Sequence, residues 1–149
     1  MAINAREVGE PVLPRKLVLE FAAAVQRGAV TSCTPDIARL AASWSEKVQS
    51  NGRLRYAELP TKDRMLSLQL VLVMFLSKQK GRRASFVPYK WFKRYFVYYP
   101  NMDTWVLLKD LETLFSAIGR MEVNGRRWKP IGIRRVKARN VVVVDFAAR

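Results

Sequence analysis

Apolar positions recur at helical spacing along most of the chain and give way to strand-like patterning only near its end. Residues 1–12 have weak periodicity and the breakers Gly9 and Pro11, and read as an arm. From Pro14 onward Leu17, Phe21, Ala24 and Val25 mark one face of a helix that stops at Gly28. A second helix is punctuated more sharply. Thr34 stands as N-cap, Pro35 at the first helical position and Asp36 at the positive end of the dipole. Ile37, Leu40, Ala41, Trp44 and Val48 form its apolar face, and Asn51-Gly52 closes it. Thr61 caps a third helix that runs through MLSLQLVLVMFL (65–76) to about Gln79, with Gly81 as its end. That helix is apolar on most sides and belongs at the centre of the fold. A fourth is expected from Phe86 or Pro88 to Tyr99, closed by Pro100-Asn101. A fifth runs from Asp103 to Ile118, with Val106, Leu107, Leu111, Leu114, Phe115 and Ile118 on one face and Gly119 as its stop.

The period then changes. Asn124-Gly125 is a hairpin-turn signal, and residues 131–136 and 141–146 read as strands separated by residues 137–140. Four consecutive valines, Val141 to Val144, make the last strand distinct. The fold class is therefore mainly α with a C-terminal β-hairpin, an α+β chain. No repeat, low-complexity tract or Gly/Ser linker divides it. Residues 1–60, the arm and two helices, are expected to pack as one unit with residues 61–149.

Two segments imitate membrane or export signals. Residues 65–76 are twelve, well short of the ~20 that span a bilayer, and include Ser67 and Gln69. Arg15-Lys16 precedes an apolar stretch, but Glu20 interrupts it. The expectation is an intracellular protein of cytoplasm or nucleus, not secreted, with no transmembrane segment.

Charge changes the picture most. The 149 residues carry 27 Lys plus Arg against 12 Asp plus Glu, a net +15, which implies a polyanionic partner or a membrane surface more readily than a small neutral ligand. Arg outnumbers Lys by 17 to 10, which suits bidentate recognition of phosphates and base edges. Before residue 61 the balance is 8 basic to 6 acidic; after it, 19 to 6, so +13 of the excess lies in the second part. Residues 78–94 hold seven basic residues and no acid, and residues 120–139 hold eight with only Glu122. Absences exclude other chemistry. Without His, and with Cys33 alone, there is no histidine base, zinc cluster or intramolecular disulfide. Asp63, Asp103, Asp110, Glu112, Glu122 and Asp145 are too scattered to nominate a metal pair, and no phosphate-binding Gly loop occurs. A non-enzymatic chain without cofactor is expected.

Helix, helix, helix and then a basic hairpin is an order that resembles the winged helix-turn-helix over residues 61–146. It is loosely similar to the C-terminal winged helix of viral and phage primase-helicases. The matching residues are Trp91-Phe92, Gly119, Gly125-Arg126-Arg127-Trp128 and Gly132-Ile133-Arg134. The resemblance implies a nucleic-acid-binding wing. In such domains the third helix enters the major groove with basic and amide side chains. Here that helix has Asp103, Asp110 and Glu112 against Lys109, a net of −2, and its exposed face is expected to repel phosphate.

Binding is expected instead from two patches. Lys90, Lys93 and Arg94 share one face of the fourth helix, with Phe92, Tyr95, Phe96 and Tyr99 on the other, and Lys80, Arg82 and Arg83 extend the charge through the preceding loop. In the hairpin Arg126, Arg127, Lys129, Arg134, Arg135, Lys137 and Arg139 surround Trp128, and Arg134 faces opposite to Arg135. Trp91 and Trp128 are the candidates for stacking on an unpaired base, with burial as the alternative for Trp128. Phe86 to Trp105 holds nine aromatics in twenty residues, more than one helix can bury. The reading is a DNA- or RNA-binding protein of replication, transcription or packaging that grips the phosphate backbone. The alternative is a structural, RNA-associated assembly protein such as a viral nucleocapsid or ribosomal component. A homo-oligomer or protein partner would then be held through the N-terminal helices and the aromatic region.

Overall fold

The computed structural model describes residues 12–34, 53–139 and 141–149, the side chains of residues 34 and 139 excepted. The predicted second helix, beyond its first residue, and the arm, before its last, lie outside the described residues. Four helices are present among those described: α1 (Arg15–Gln26), α2 (Thr61–Ser77), α3 (Pro88–Phe92) and α4 (Pro100–Ile118). Helix α1 follows Pro14 and ends before Gly28, whose φ of +78° continues no helix. Thr61 is the first residue of α2 rather than its cap; Pro60 holds that position. Leu68 and the run from Leu70 to Phe75 are buried on every side of α2.

The predicted fourth helix is corrected. Helix α3 stops at Phe92, the chain turns through residues 93–95, and β4 (Phe96–Val97) pairs in parallel with β2 (Leu54–Arg55). A single helix would leave part of its aromatic run in water. Breaking it lets Phe92, Tyr95, Phe96 and Tyr98 all be buried. Phe92 and Phe96 meet Tyr56 edge to face, with centroids 5.0 and 5.5 Å away.

The expected two-stranded hairpin is part of a five-stranded sheet. Its strands are β1 (Cys33–Thr34), β3 (Arg83–Phe86), β5 (Met121–Val123), β6 (Arg126–Val136) and β7 (Val141–Ala148), in the order β1-β5-β6-β7-β3, and every pairing is antiparallel. Asn124 and Gly125, with φ of 52° and 85°, make the two-residue turn between β5 and β6. Strand β6 begins five residues earlier than predicted and accommodates Pro130 beside a register shift between Pro130 and Gly132. Cys33 is buried in β1.

The sheet's inner face presents Phe86, Trp128, Val144 and Phe146 to α2 and α4. Phe86 lies 5.0 Å from Phe75 of α2, and Phe146 5.9 Å from Phe115 of α4, centroid to centroid. Leu17, Val18, Phe21 and Ala24 of α1 belong to the same core. Among the described residues no helix is long and apolar enough to cross a membrane.

Candidate functional site

Most of the acidity expected of α4 does not reach its surface. Asp103 and Asp110 are buried. Asp103 accepts from Arg55 Nη2 at 2.9 Å and from the Tyr99 backbone N–H at 2.9 Å, closing the first turn of the helix. Asp110 accepts from the Tyr56 hydroxyl at 2.6 Å and Arg64 Nε at 2.9 Å. Burial, then the bond to Asp110, pushes the Tyr56 hydroxyl far above its ordinary pKa. Two arginines thus cancel two of the three acids. The solvent side of α4 carries Asn101, Met102, Trp105, Lys109, Glu112 and Thr113, with one cation against one anion. The expected repulsion of phosphate is corrected accordingly.

The loop part of the first basic patch and the beginning of the second, apart in sequence, meet at the start of β6. Arg126 donates from Nη1 to the carbonyl of Gln79 at 2.9 Å and to that of Gly81, and from Nη2 to that of Lys80. Its guanidinium is spent on the loop, so it positions Lys80, Arg82 and Arg83. The Arg82 carbonyl accepts from the Ala148 N–H at 2.8 Å, and the Arg127 carbonyl from the Arg149 N–H at 3.0 Å. On β7, Ala147 is opposite both Arg83 of β3 and Lys129 of β6. Arg127 and Lys129 flank buried Trp128, so they share the outer face with Arg83, and all three are exposed. Arg120 approaches the Arg127 carbonyl at 3.5 Å. Its pKa is lowered, first by desolvation and then by the like charges of Arg149 and Arg127. The acids nearby are engaged. Glu122 accepts from the Ser32 hydroxyl at 3.0 Å and the Gly125 N–H at 2.9 Å. Asp145 accepts from Arg134 Nε at 2.8 Å and the Ser85 hydroxyl at 2.9 Å. The bond from Arg134 is the main reason that the Asp145 carboxyl sits below its usual range.

The remaining candidates fall elsewhere. Lys90 is exposed on α3, but Lys93 and Arg94 lie in the turn after it, not on a common helical face. Lys93 Nζ stands 5.0 Å from the Tyr89 ring centroid, Arg94 Cζ 5.4 Å from that of Trp91, and Lys78 Nζ 5.1 Å from Trp91 as well. Trp91 is half-buried, edge-on to Phe75 at 5.8 Å, and already a platform for two cations. Trp128 is 0% exposed and has no ring face to offer a base, which corrects its stacking role. Arg134 is tied to Asp145 on the outer face, whereas Arg135, opposite Val142, faces the other way as expected. Lys137 is exposed in the turn between β6 and β7; the side chain of residue 139 lies outside those described.

Sequence reasoning missed the ground between α4 and the β6-β7 hairpin. Two adjoining clefts open there, of about 240 and 520 Å³, and share Trp105 and Leu108 as a wall. Trp105 is 63% exposed. Its signal was its place off the apolar face of α4, one turn before Lys109. Among the described residues no cluster of His, Cys, Asp or Glu is placed to hold a metal ion. No protein-family model, curated protein or solved structure matches the chain.

Proposed function

We propose that this chain is a nucleic-acid-binding protein, without catalysis of its own, that grips the phosphate backbone. The observation that carries the reading is the sorting of charge. Asp103 and Asp110 are turned inward onto Arg55 and Arg64, while Lys80, Arg82, Arg83, Arg127 and Lys129 converge, exposed, at one end of the sheet. Lys90, Lys93 and Arg94 supply a second exposed group. Such a surface gains affinity by releasing counterions condensed on a polyanion. The winged-helix reading is supported by α2, α3 and α4 followed by the β6-β7 hairpin, with β3, inserted between α2 and α3, pairing with β7. With α4 neutral on its outer side, phosphate can approach the groove between helix and wing.

The test is a salt titration of binding to duplex and single-stranded DNA and RNA. If around six cations contact phosphates, log K falls against log salt with a slope of roughly −4 to −6. The Arg83→Ala/Arg127→Ala/Lys129→Ala variant flattens that slope by about 2 to 3. A slope near zero, or no binding, overturns the proposal.

A further inference from the structure

We infer that the clefts beside Trp105 receive an unpaired base, so that the ligand gripped by the basic surface is single-stranded nucleic acid. This rests on the nucleic-acid reading and adds to it a site for the base, separate from the sites for phosphate.

Trp105 is unlike the other described tryptophans. Trp128 is buried and Trp91 is covered by Lys78 and Arg94, whereas Trp105 stands open on the solvent side of α4 as the wall of two clefts. A base slipped against an indole gains stacking whatever its identity, because every base has a π-face. The smaller cleft adds groups that read base edges. Tyr89, Asn101 and Arg135 line it together with Trp105. An amide offers both a donor and an acceptor, and a guanidinium a planar fork. The larger cleft is lined mainly by apolar residues, Leu108, Pro130, Ile131 and Ile133 among them, together with Lys109 and Glu112, and the register shift at Pro130 and Gly132 interrupts β6 there.

That interruption bears on the occupant. Pro130 has no N–H and the bulge breaks the ladder, so an extended peptide gains little by adding to β6 there. Charge points the same way. Arg135 and Lys109 border the clefts against one acid, Glu112, and Lys137 follows them in the β6-β7 turn, so cations outnumber acids where the phosphates flanking an inserted base would lie. Bases stacked inside a duplex cannot reach the indole, so the clefts select for unpaired strands.

The test measures binding of labelled oligo(dT), oligo(rU) and a matched DNA duplex to wild type, Trp105→Ala, Trp105→Phe and Asn101→Ala, with a thermal melt of each protein. Trp105→Ala weakens single-strand binding on the order of tenfold. Trp105→Phe restores most of that loss, and Asn101→Ala weakens binding to a smaller degree. Duplex affinity, salt slope and melting temperature stay as in wild type. Equal losses for single strand and duplex, or no loss, overturn the base site while leaving backbone binding standing. Unchanged single-strand binding together with loss of self-association in Trp105→Ala assigns the clefts to a second copy of the chain and likewise overturns it. A wild type that binds no nucleic acid overturns both readings.

Discussion

Asp110 shows how one side chain decides the character of a helix. Its carboxylate is buried and takes two bonds from Arg64 and one from Tyr56, residues 46 and 54 positions away. A charge withdrawn from water in this way costs stability unless its partners are retained. Asp110→Ala strands the Arg64 guanidinium, itself mostly buried, and is expected to lower the free energy of unfolding by about 3–5 kcal/mol in urea denaturation. Replacing both, as Arg64→Met/Asp110→Leu, recovers most of the loss. A single-variant loss under about 1 kcal/mol, the range of exposed pairs, refutes the buried pairing. Sequence reading found Asp110 and counted its charge. It gave no sign that the charge faces inward, since periodicity places Asp110 beside Leu111 without naming the Arg that reaches it.

At the level of elements, α1, α2 and α4 were legible because their apolar positions repeat at the period of a helix, and the β5-β6 turn because Asn-Gly accepts positive φ. Strand β3 was not, being four residues long and stabilised by pairing with β7, some sixty positions on. The aromatic run was misread as one long helix because local pattern does not register that β2 is there to receive β4. Arg126 joins two such elements. Arg126→Ala removes three charge-assisted bonds to the 79–81 backbone and is expected to cost about 1.5–3 kcal/mol. Amide exchange at residues 80–83 rises, and nucleic-acid affinity falls with little change in salt slope, because the guanidinium orders phosphate contacts instead of making one. Unaltered exchange in this loop, or a slope flattened by about one unit, disproves the positioning role.

For the molecule as a whole, the buried aromatic cluster sets an alkaline limit. Tyr56, Tyr95 and Tyr98 all have raised pKa values, in each case first by burial. In the unfolded chain a tyrosine ionises near pH 10, about its ordinary value, so above that pH the folded protein holds protons that the unfolded one has lost. Stability is therefore full below about pH 10 and falls as pH rises further, by up to about 1.4 kcal/mol per pH unit for each tyrosine. Urea midpoints followed from about pH 9 to about pH 11.5 should show this decline, and Tyr98→Phe should lessen it by about a third. A flat profile contradicts the burial of these hydroxyls. By itself the sequence determined the α+β class, three of the helices, the Asn124-Gly125 turn, the last strand and the placement of the charge excess after residue 60, because those follow from local periodicity, backbone sterics and counting. Only the tertiary structure decided which charges face water. Long-range packing buries Asp103 against Arg55, Asp110 against Arg64 and Trp128 in the core, draws the Lys80 loop onto β6, and leaves Trp105 open. An electrostatic surface depends on burial and on partners distant in sequence, and no local pattern contains either.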